Sequence, residues 1–288
     1  MSELNYWKIR YEKLPSLGRE YPEGSSISFR CLNVRDLKYL AAMNEENSRD
    51  IVNEILRRCL SLDGIEFKEI LEGDRMTLIF YLRTNTFQLS NKYQTDFTCP
   101  YCDKRIHSEF GSGDLIVKRI TECKMHDMYL DGNLIRGVHK KISDKHYTAE
   151  DPVIEDILNW TDIDKSYGTD SSKLEKILGD IDGMSFSKLR TIARDAKFGI
   201  LGNAVLKCSS CLRDLNVGLN IGDINMFNRV KTTVLIKNQI HISKYCGIVI
   251  TDDMPYNEVE LLIATVNEMA KKDEENLKNT KSITARRV

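Results

Sequence analysis

Two pairs of cysteines carry the clearest chemical pattern in this 288-residue sequence: Cys99-Pro100-Tyr101-Cys102 and Cys208-Ser209-Ser210-Cys211. A two-residue spacer lets a tight turn bring both sulfurs to one ion, and two such turns supply a closed tetrahedral set of thiolates. A closed set leaves no position for water, so its chemistry is structural and not catalytic. The favoured occupant is Zn2+, held by Cys99, Cys102, Cys208 and Cys211, which would keep the sulfurs deprotonated. Two unrelated knuckles, or four reduced thiols without metal, are the alternatives.

The surroundings of the two pairs match. Gly113-Asp114-Leu115 begins eleven residues after Cys102, and Gly222-Asp223-Ile224 begins eleven residues after Cys211. An apolar side chain, Phe97 or Leu206, stands two residues before each pair. Each half therefore reads as a strand, a thiolate turn and a returning strand, which together make a zinc ribbon. Its unusual feature is the 105 residues between Cys102 and Cys208, where a compact ribbon has about 15 to 20. A segment that long must fold and return its ends close together.

Other candidate ligands are weaker. Cys123 and His126 have ligand-like spacing, with His139 and His146 downstream, but histidines in a polar segment are usually solvated. A Cys123–His126 pair replacing one of the named thiolates is the less favoured arrangement. The acidic stretch from Asp162 to Gly168 imitates a calcium loop. Its glycine falls one place late, and Lys173 stands where a bidentate Glu is needed. Asp180 and Asp182 read as loop carboxylates, not as an acid and base pair. No phosphate-binding loop, zinc-protease helix or nucleophile elbow occurs, so the chain reads as a non-enzyme.

Composition narrows the class further. Lys and Arg number 42 against 43 Asp and Glu, a net charge of −1, whereas phosphate-binding surfaces usually show a basic excess. The stretch from Met1 to Lys8 has no basic start followed by an apolar run, and no segment has the length of a membrane span. The expectation is a soluble intracellular chain, where eight cysteines serve metal binding or burial better than disulfides. Cys31, Cys59 and Cys246 sit in apolar patterns and read as buried thiols.

Several elements must position the thiolates. The segment Leu14 to Pro22 is rich in turn formers. Ile27, Phe29 and Cys31 alternate as in a strand, and Asn33 with Asp36 can cap a helix burying Leu37, Leu40 and Ala41. Ser48 can cap a second helix with the stripe Ile51, Val52, Ile55, Leu56, Cys59 and Leu60. Asp74 stands as a cap before Met76 to Leu82, which favours helix there, and a strand pattern runs from Phe87 to Thr98. Helical pieces at Val153 to Leu158 and Leu174 to Leu178, with a third following Ser185 and Ser187 (Leu189, Ile192, Ala193), mark a polar insertion. Thr232 to Ile242 reads as β-like. A last helix runs from Tyr256 to Lys278 with the stripe Leu261, Leu262, Thr265, Val266 and Met269, followed by a basic, fraying tail from Lys281 to Val288.

Certain motifs resemble the baseplate hub and hub-assembly proteins of T-even-type contractile-tailed phages. They are Leu14-Pro15-Ser16-Leu17-Gly18 with Tyr21-Pro22, Val34 to Leu40, and Asn47 before Ile51 to Leu56. Gly73-Asp74-Arg75, followed by an apolar run ending in Leu82-Arg83-Thr84-Asn85, matches best. The first knuckle and a closing helix from Glu258 to Asn276 also fit. The resemblance covers residues 14–115 more closely than 200–276 and leaves the insertion unanchored.

The combined reading is an α+β protein. It has an N-terminal mixed domain (1–94), a split four-cysteine zinc ribbon (95–115 and 205–227), a long, mostly helical insertion (116–204) projecting from that base, and a C-terminal β-like segment, helix and basic tail (228–288). The resemblance implies a structural or assembly protein of a phage tail baseplate hub. Its partners would be other hub or tail proteins, with oligomers in the assembly. It would reside in the host cytoplasm during assembly and in the virion baseplate if retained. The alternative is a zinc-ribbon nucleic-acid-binding phage factor using Lys104, Arg105, His107, Arg213 and the basic tail; the favoured reading has neither nucleic acid nor membrane as partner.

Overall fold

Alternation and capping set the first third of the chain. In the computed structural model, which describes residues 5–89, 92–219, 221–227 and 232–285, β1 (Trp7–Ile9) pairs with β2 (Ser26–Phe29), whose Ile27 and Phe29 are buried. The chain between them is a run of turns. α1 (Val34–Leu40) starts at Asn33, whose side chain accepts from the Asp36 amide while Asp36 accepts from the Asn33 amide. This reciprocal cap satisfies two otherwise orphaned N–H groups. Leu37 and Leu40 are buried, and Ala41 is half-buried at the cap that ends the helix.

α2 (Ser48–Cys59) buries the expected Ile51, Val52, Ile55, Leu56 and Cys59. Its cap position is Asn47, one residue before the expected Ser48, which is already helical. Leu60 opens β3 (Leu60–Asp63), which pairs with β2 to complete the first sheet.

α3 (Glu72–Thr86) is helical as the apolar run suggested, but Asp74 is not its cap. Leu71 holds that position, and Asp74 sits buried in the first turn. It accepts from the Ser16 amide at 2.8 Å and the Tyr21 hydroxyl at 2.7 Å. The carboxyl therefore ties the N-terminal turns to α3. Burial pushes its pKa up, and these hydrogen bonds offset only part of that rise.

The strand expected from Phe87 is shorter. After α3 the chain forms β4 (Tyr93–Thr98) and β5 (Arg105–Phe110), an antiparallel pair on either side of the first knuckle. The segment between the knuckles begins with strands, not helices: β6 (Leu115–Lys118), then the hairpin β7 (Asp127–Leu130) and β8 (Asn133–Arg136). Four helices follow, α4 (Pro152–Trp160), α5 (Ile163–Tyr167), α6 (Ser171–Asp180) and α7 (Gly183–Ala196). Asp182 caps α7, so Ser185 and Ser187 lie inside it.

The chain then returns through β9 (Gly199–Lys207) and β10 (Asp214–Gly218), which with β6 form a sheet in the order β10-β9-β6. α8 (Asp223–Phe227), α9 (Thr232–Cys246) and α10 (Tyr256–Ala285) complete the fold. The β-like reading of Thr232 to Ile242 is overturned, because this run is helical. Leu235 and Ile242, two turns apart, are the buried residues of that face, and packing against α10 outweighs the β preference of the run. α10 buries Tyr256, Val259 and Val266; Leu262 is half-buried, but Leu261, Thr265 and Met269 of the expected stripe face solvent. Of the basic tail, residues 281–285 extend this helix and Arg286 to Val288 lie outside the described residues.

The inter-knuckle segment is packed onto the first third through one continuous buried core. Glu72 N–H donates to the Lys140 carbonyl at 2.8 Å, and Ile142 N–H donates to the Ile70 carbonyl at 2.7 Å. The start of α10 is also stitched to α1: Tyr256 N–H donates to the Leu32 carbonyl, and Val34 N–H donates to the Met254 carbonyl.

The first turn of α3 is where these parts meet. A Cβ on Gly73 would lie 2.3 Å from the Phe198 ring, and one on Gly199, whose φ is +103°, would lie 2.4 Å from the Gly73 carbonyl oxygen. Only two glycines allow β9 to approach the helix so closely. Arg75 makes a bidentate pair with Asp223 at 2.8 and 2.6 Å, and its Nε donates to Asn53 at 2.7 Å. Burial alone would lower the Arg75 pKa; Asp223 carries it above the ordinary value. Arg75→Ala leaves the Asp223 carboxylate buried and unpaired, a change that typically costs about 3–5 kcal/mol. Urea unfolding should show a loss of that order, and a loss below about 1 kcal/mol would show that the pair does not hold the two halves together.

Candidate metal centre

The two knuckles are built alike. Each hairpin enters its turn at a cysteine whose amide receives no help from a side chain: Cys99 N–H donates to the Lys104 carbonyl at 3.0 Å, and Cys208 N–H donates to Arg213 at 2.9 Å. Four residues into each turn the chain bends back, with Asp103 N–H donating to the Cys99 carbonyl and Leu212 N–H donating to the Cys208 carbonyl, both at 2.9 Å. Asp103 and Leu212 both take the left-handed conformation, with φ of 56° and 62°. The same left-handed conformation at the same place in both turns shows that the sequence spacing encodes one backbone shape twice. The equivalence ends after the hairpins. Asp114 closes a short 3-10 turn before β6, whereas Asp223 opens α8 and binds Arg75.

The four sulfurs converge. Cys99 and Cys208, the first cysteine of each turn, are fully buried, while Cys102 and Cys211 are half-buried. Cys99 Sγ lies 3.7 Å from Cys211 Sγ, Cys102 Sγ lies 3.8 Å from Cys208 Sγ, and all four fall within 4.8 Å of one another. Sulfurs about 2.3 Å from an ion at the centre of a tetrahedron would stand about 3.8 Å apart. The donor set and spacing are thus compatible with a metal site. The site's own amides prepare a thiolate: the Cys211 N–H, 3.4 Å from Cys208 Sγ, and the Ser210 N–H bring the Cys208 thiol down to about 6. Cys211, although the Arg213 amide pulls it down, is pushed up to about 11 by burial and the neighbouring sulfurs.

The remaining sequence candidates stay apart. Among the described residues, the four cysteines are the one group of His, Cys, Asp and Glu side chains close enough to share an ion. Cys123 Sγ donates to the Arg119 and Lys197 carbonyls, and burial pushes its thiol up. His126 stands 3.4 Å from Asp195, His139 pairs with Glu20 at 2.6 Å, and burial drives His146 down to about 3. Asp164, in the rejected calcium-like stretch, accepts from Lys140 and Tyr147 instead. Cys31 and Cys59 are buried as expected, and Cys246 is half-buried.

Sequence reasoning did not find the role of Gly73, Arg75, Asp223 and Gly199 in bringing the hairpins together. The repeated Gly-Asp pair after each knuckle was the available signal, since it marked Asp223 without naming its partner.

A family model described as T4 bacteriophage base plate protein matches residues 7–227, which span both hairpins and the segment between them. No curated protein and no solved structure matches the chain. Among the described residues no helix is long and apolar enough to cross a membrane.

The matched knuckle geometry has a testable consequence at Leu212, which is 66% exposed and makes its contribution through its backbone. A left-handed conformation costs an L-residue about 1–2 kcal/mol, and glycine avoids that strain. Leu212→Gly should leave stability unchanged or raise it by up to ~1 kcal/mol, and Leu212→Val should lower it by at least ~1 kcal/mol. Equal losses in both variants by denaturant titration would contradict the assigned turn.

Proposed function

The chain belongs to the T4 bacteriophage base plate protein family, and on that premise we propose that it is a non-enzymatic component, or assembly factor, of the baseplate hub, stiffened by one structural zinc ion. The observation that carries the reading is the family match, which takes in both knuckles and the helix that positions them. Membership in a baseplate family makes other baseplate and tail proteins its partners.

Zinc suits such a role. Cys99, Cys102, Cys208 and Cys211 would hold it, and a four-thiolate shell supplies cross-linking without an open coordination position. The β4–β5 hairpin has particular need of it, because it forms a two-stranded sheet of its own, and such hairpins are marginal in water. Outside the knuckle, Tyr93 stacks on Phe110 and packs against Phe80, and the Arg83 guanidinium lies over the Tyr93 ring. A bound ion would fix the far end of this hairpin against β9 and β10, giving partners a rigid surface.

The nucleic-acid alternative loses support from the surroundings of its basic residues. Arg105 and His107 both pair with Asp96 across the hairpin, and Arg213 lies over the Tyr101 ring. Peptide mass spectrometry of purified particles and of the infected lysate tests the proposed role. The expected result is either stoichiometric presence in particles, for a hub subunit, or co-purification from lysate with hub proteins and absence from particles, for an assembly factor. Recovery with nucleic acid and without tail proteins would overturn it.

A further inference from the structure

One stripe of α3 borders a cleft, with Phe80 buried and Thr77, Tyr81, Thr84 and Asn85 half-buried. Thr77, Phe80, Tyr81, Thr84 and Asn85 follow the i, i+3, i+4, i+7, i+8 spacing of a single helical stripe, and they form one wall of a cleft of about 520 Å³. The opposite wall is the face of β6 and β9 that carries Leu115, Val117 and Ile200. Val117 is 42% exposed, although it stands beside buried apolar neighbours. The Thr77 hydroxyl is buried in the helix wall without a hydrogen-bond partner. Buried hydroxyls normally have a partner, so this one marks a place where something else supplies it.

The rim has one sign of charge. Lys13 and Arg119 line the cleft, and no acidic residue does. Among the described residues neither cation forms an ion pair. The Arg119 guanidinium donates to the Glu12 carbonyl, and the Glu122 carboxylate accepts from the Arg119 backbone amide. An apolar floor, an unmet hydroxyl and two unpaired cations at the mouth define a complementary shape: a large apolar side chain flanked by carboxylates. The volume lies in the range of small binding pockets, and the sheet wall ends at β6, an edge strand whose outer side has no partner strand among the described residues.

We propose that this cleft is a docking groove for an acidic peptide segment of a partner protein, whose apolar anchor enters between α3 and β6 while its carboxylates meet Lys13 and Arg119. The inference deepens the protein-contact role argued above by naming a surface and the chemistry that fits it. Its test needs neither phage nor particle, so the groove and the baseplate role can fail separately.

The test is selection of random 12-residue peptides on the full-length protein, followed by fluorescence anisotropy with the individual winners. The charge-reversed Lys13→Glu/Arg119→Glu variant serves as the counter-target, and its fold is checked by circular dichroism. Both positions are exposed, so the exchange should leave the core intact. Winning peptides should carry a net negative charge around at least one large apolar residue. They should bind the variant at least tenfold more weakly and lose affinity as salt is raised. A second variant, Thr84→Trp, fills the cleft without changing charge and should also reduce binding at least tenfold. Winners that are neutral or basic, winners that bind both variants as well as the native chain, or no enrichment over the charge-reversed protein would each overturn the proposal. Binding confined to small anionic amphiphiles, with no peptide selected, would overturn it as well.

Discussion

Two Cys-x-x-Cys turns with 105 residues between them bring four sulfurs to one point, and everything between them has to respect that closure. Thiolates that close cannot be positioned by the knuckles alone, because each knuckle fixes only its own pair. The closure is made by the first turn of α3. Gly73 receives β9 without an intervening side chain, Asp74 holds the N-terminal turns, and Arg75 reaches the carboxylate that opens α8. Three consecutive residues therefore bind three separate parts of the chain.

This arrangement explains why a long segment can interrupt a ribbon. Its ends are not held by the cysteines alone: β6 pairs with β9, and residues 70–72, at the start of α3, exchange backbone hydrogen bonds with residues 140–142. The segment folds against the first third instead of projecting from it, and its helices share the same buried core. Buried polar groups specify this packing. Each of Asp74, Arg75 and Lys140 is largely removed from water and finds a partner, so alternative registers would leave charges unpaired.

Local signals were legible in the sequence, and distant ones were not. The Asn33–Asp36 cap, the α2 stripe as far as Cys59 and both Cys-x-x-Cys turns depend on residues within a few positions of one another, and each formed as read. Asp74 was misread because a carboxylate near a helix start can be a cap or a buried anchor; its partners, Ser16 and Tyr21, lie more than fifty residues away. α9 was misread because the run Thr232 to Ile242 has the composition of a strand, while the decisive facts are the burial of Leu235 and Ile242 on one helical face and the packing of α9 on α10. The pairing of Arg75 with Asp223 spans 148 positions, and no local pattern announces it. The phage-family resemblance rested on Gly73-Asp74-Arg75 more than on any other motif, and the structure gives that motif a physical reason to exist.

The role proposed for the four-cysteine cluster turns on whether it binds one structural zinc ion. Native mass spectrometry of the purified full-length chain, with elemental analysis of the same sample, tests it most directly. The account predicts one zinc per chain, and loss of that zinc together with cooperative folding when Cys99 and Cys208 are both replaced by serine. A folded chain of metal-free mass, with Cys99, Cys102, Cys208 and Cys211 all open to alkylation and no loss of stability, would contradict it.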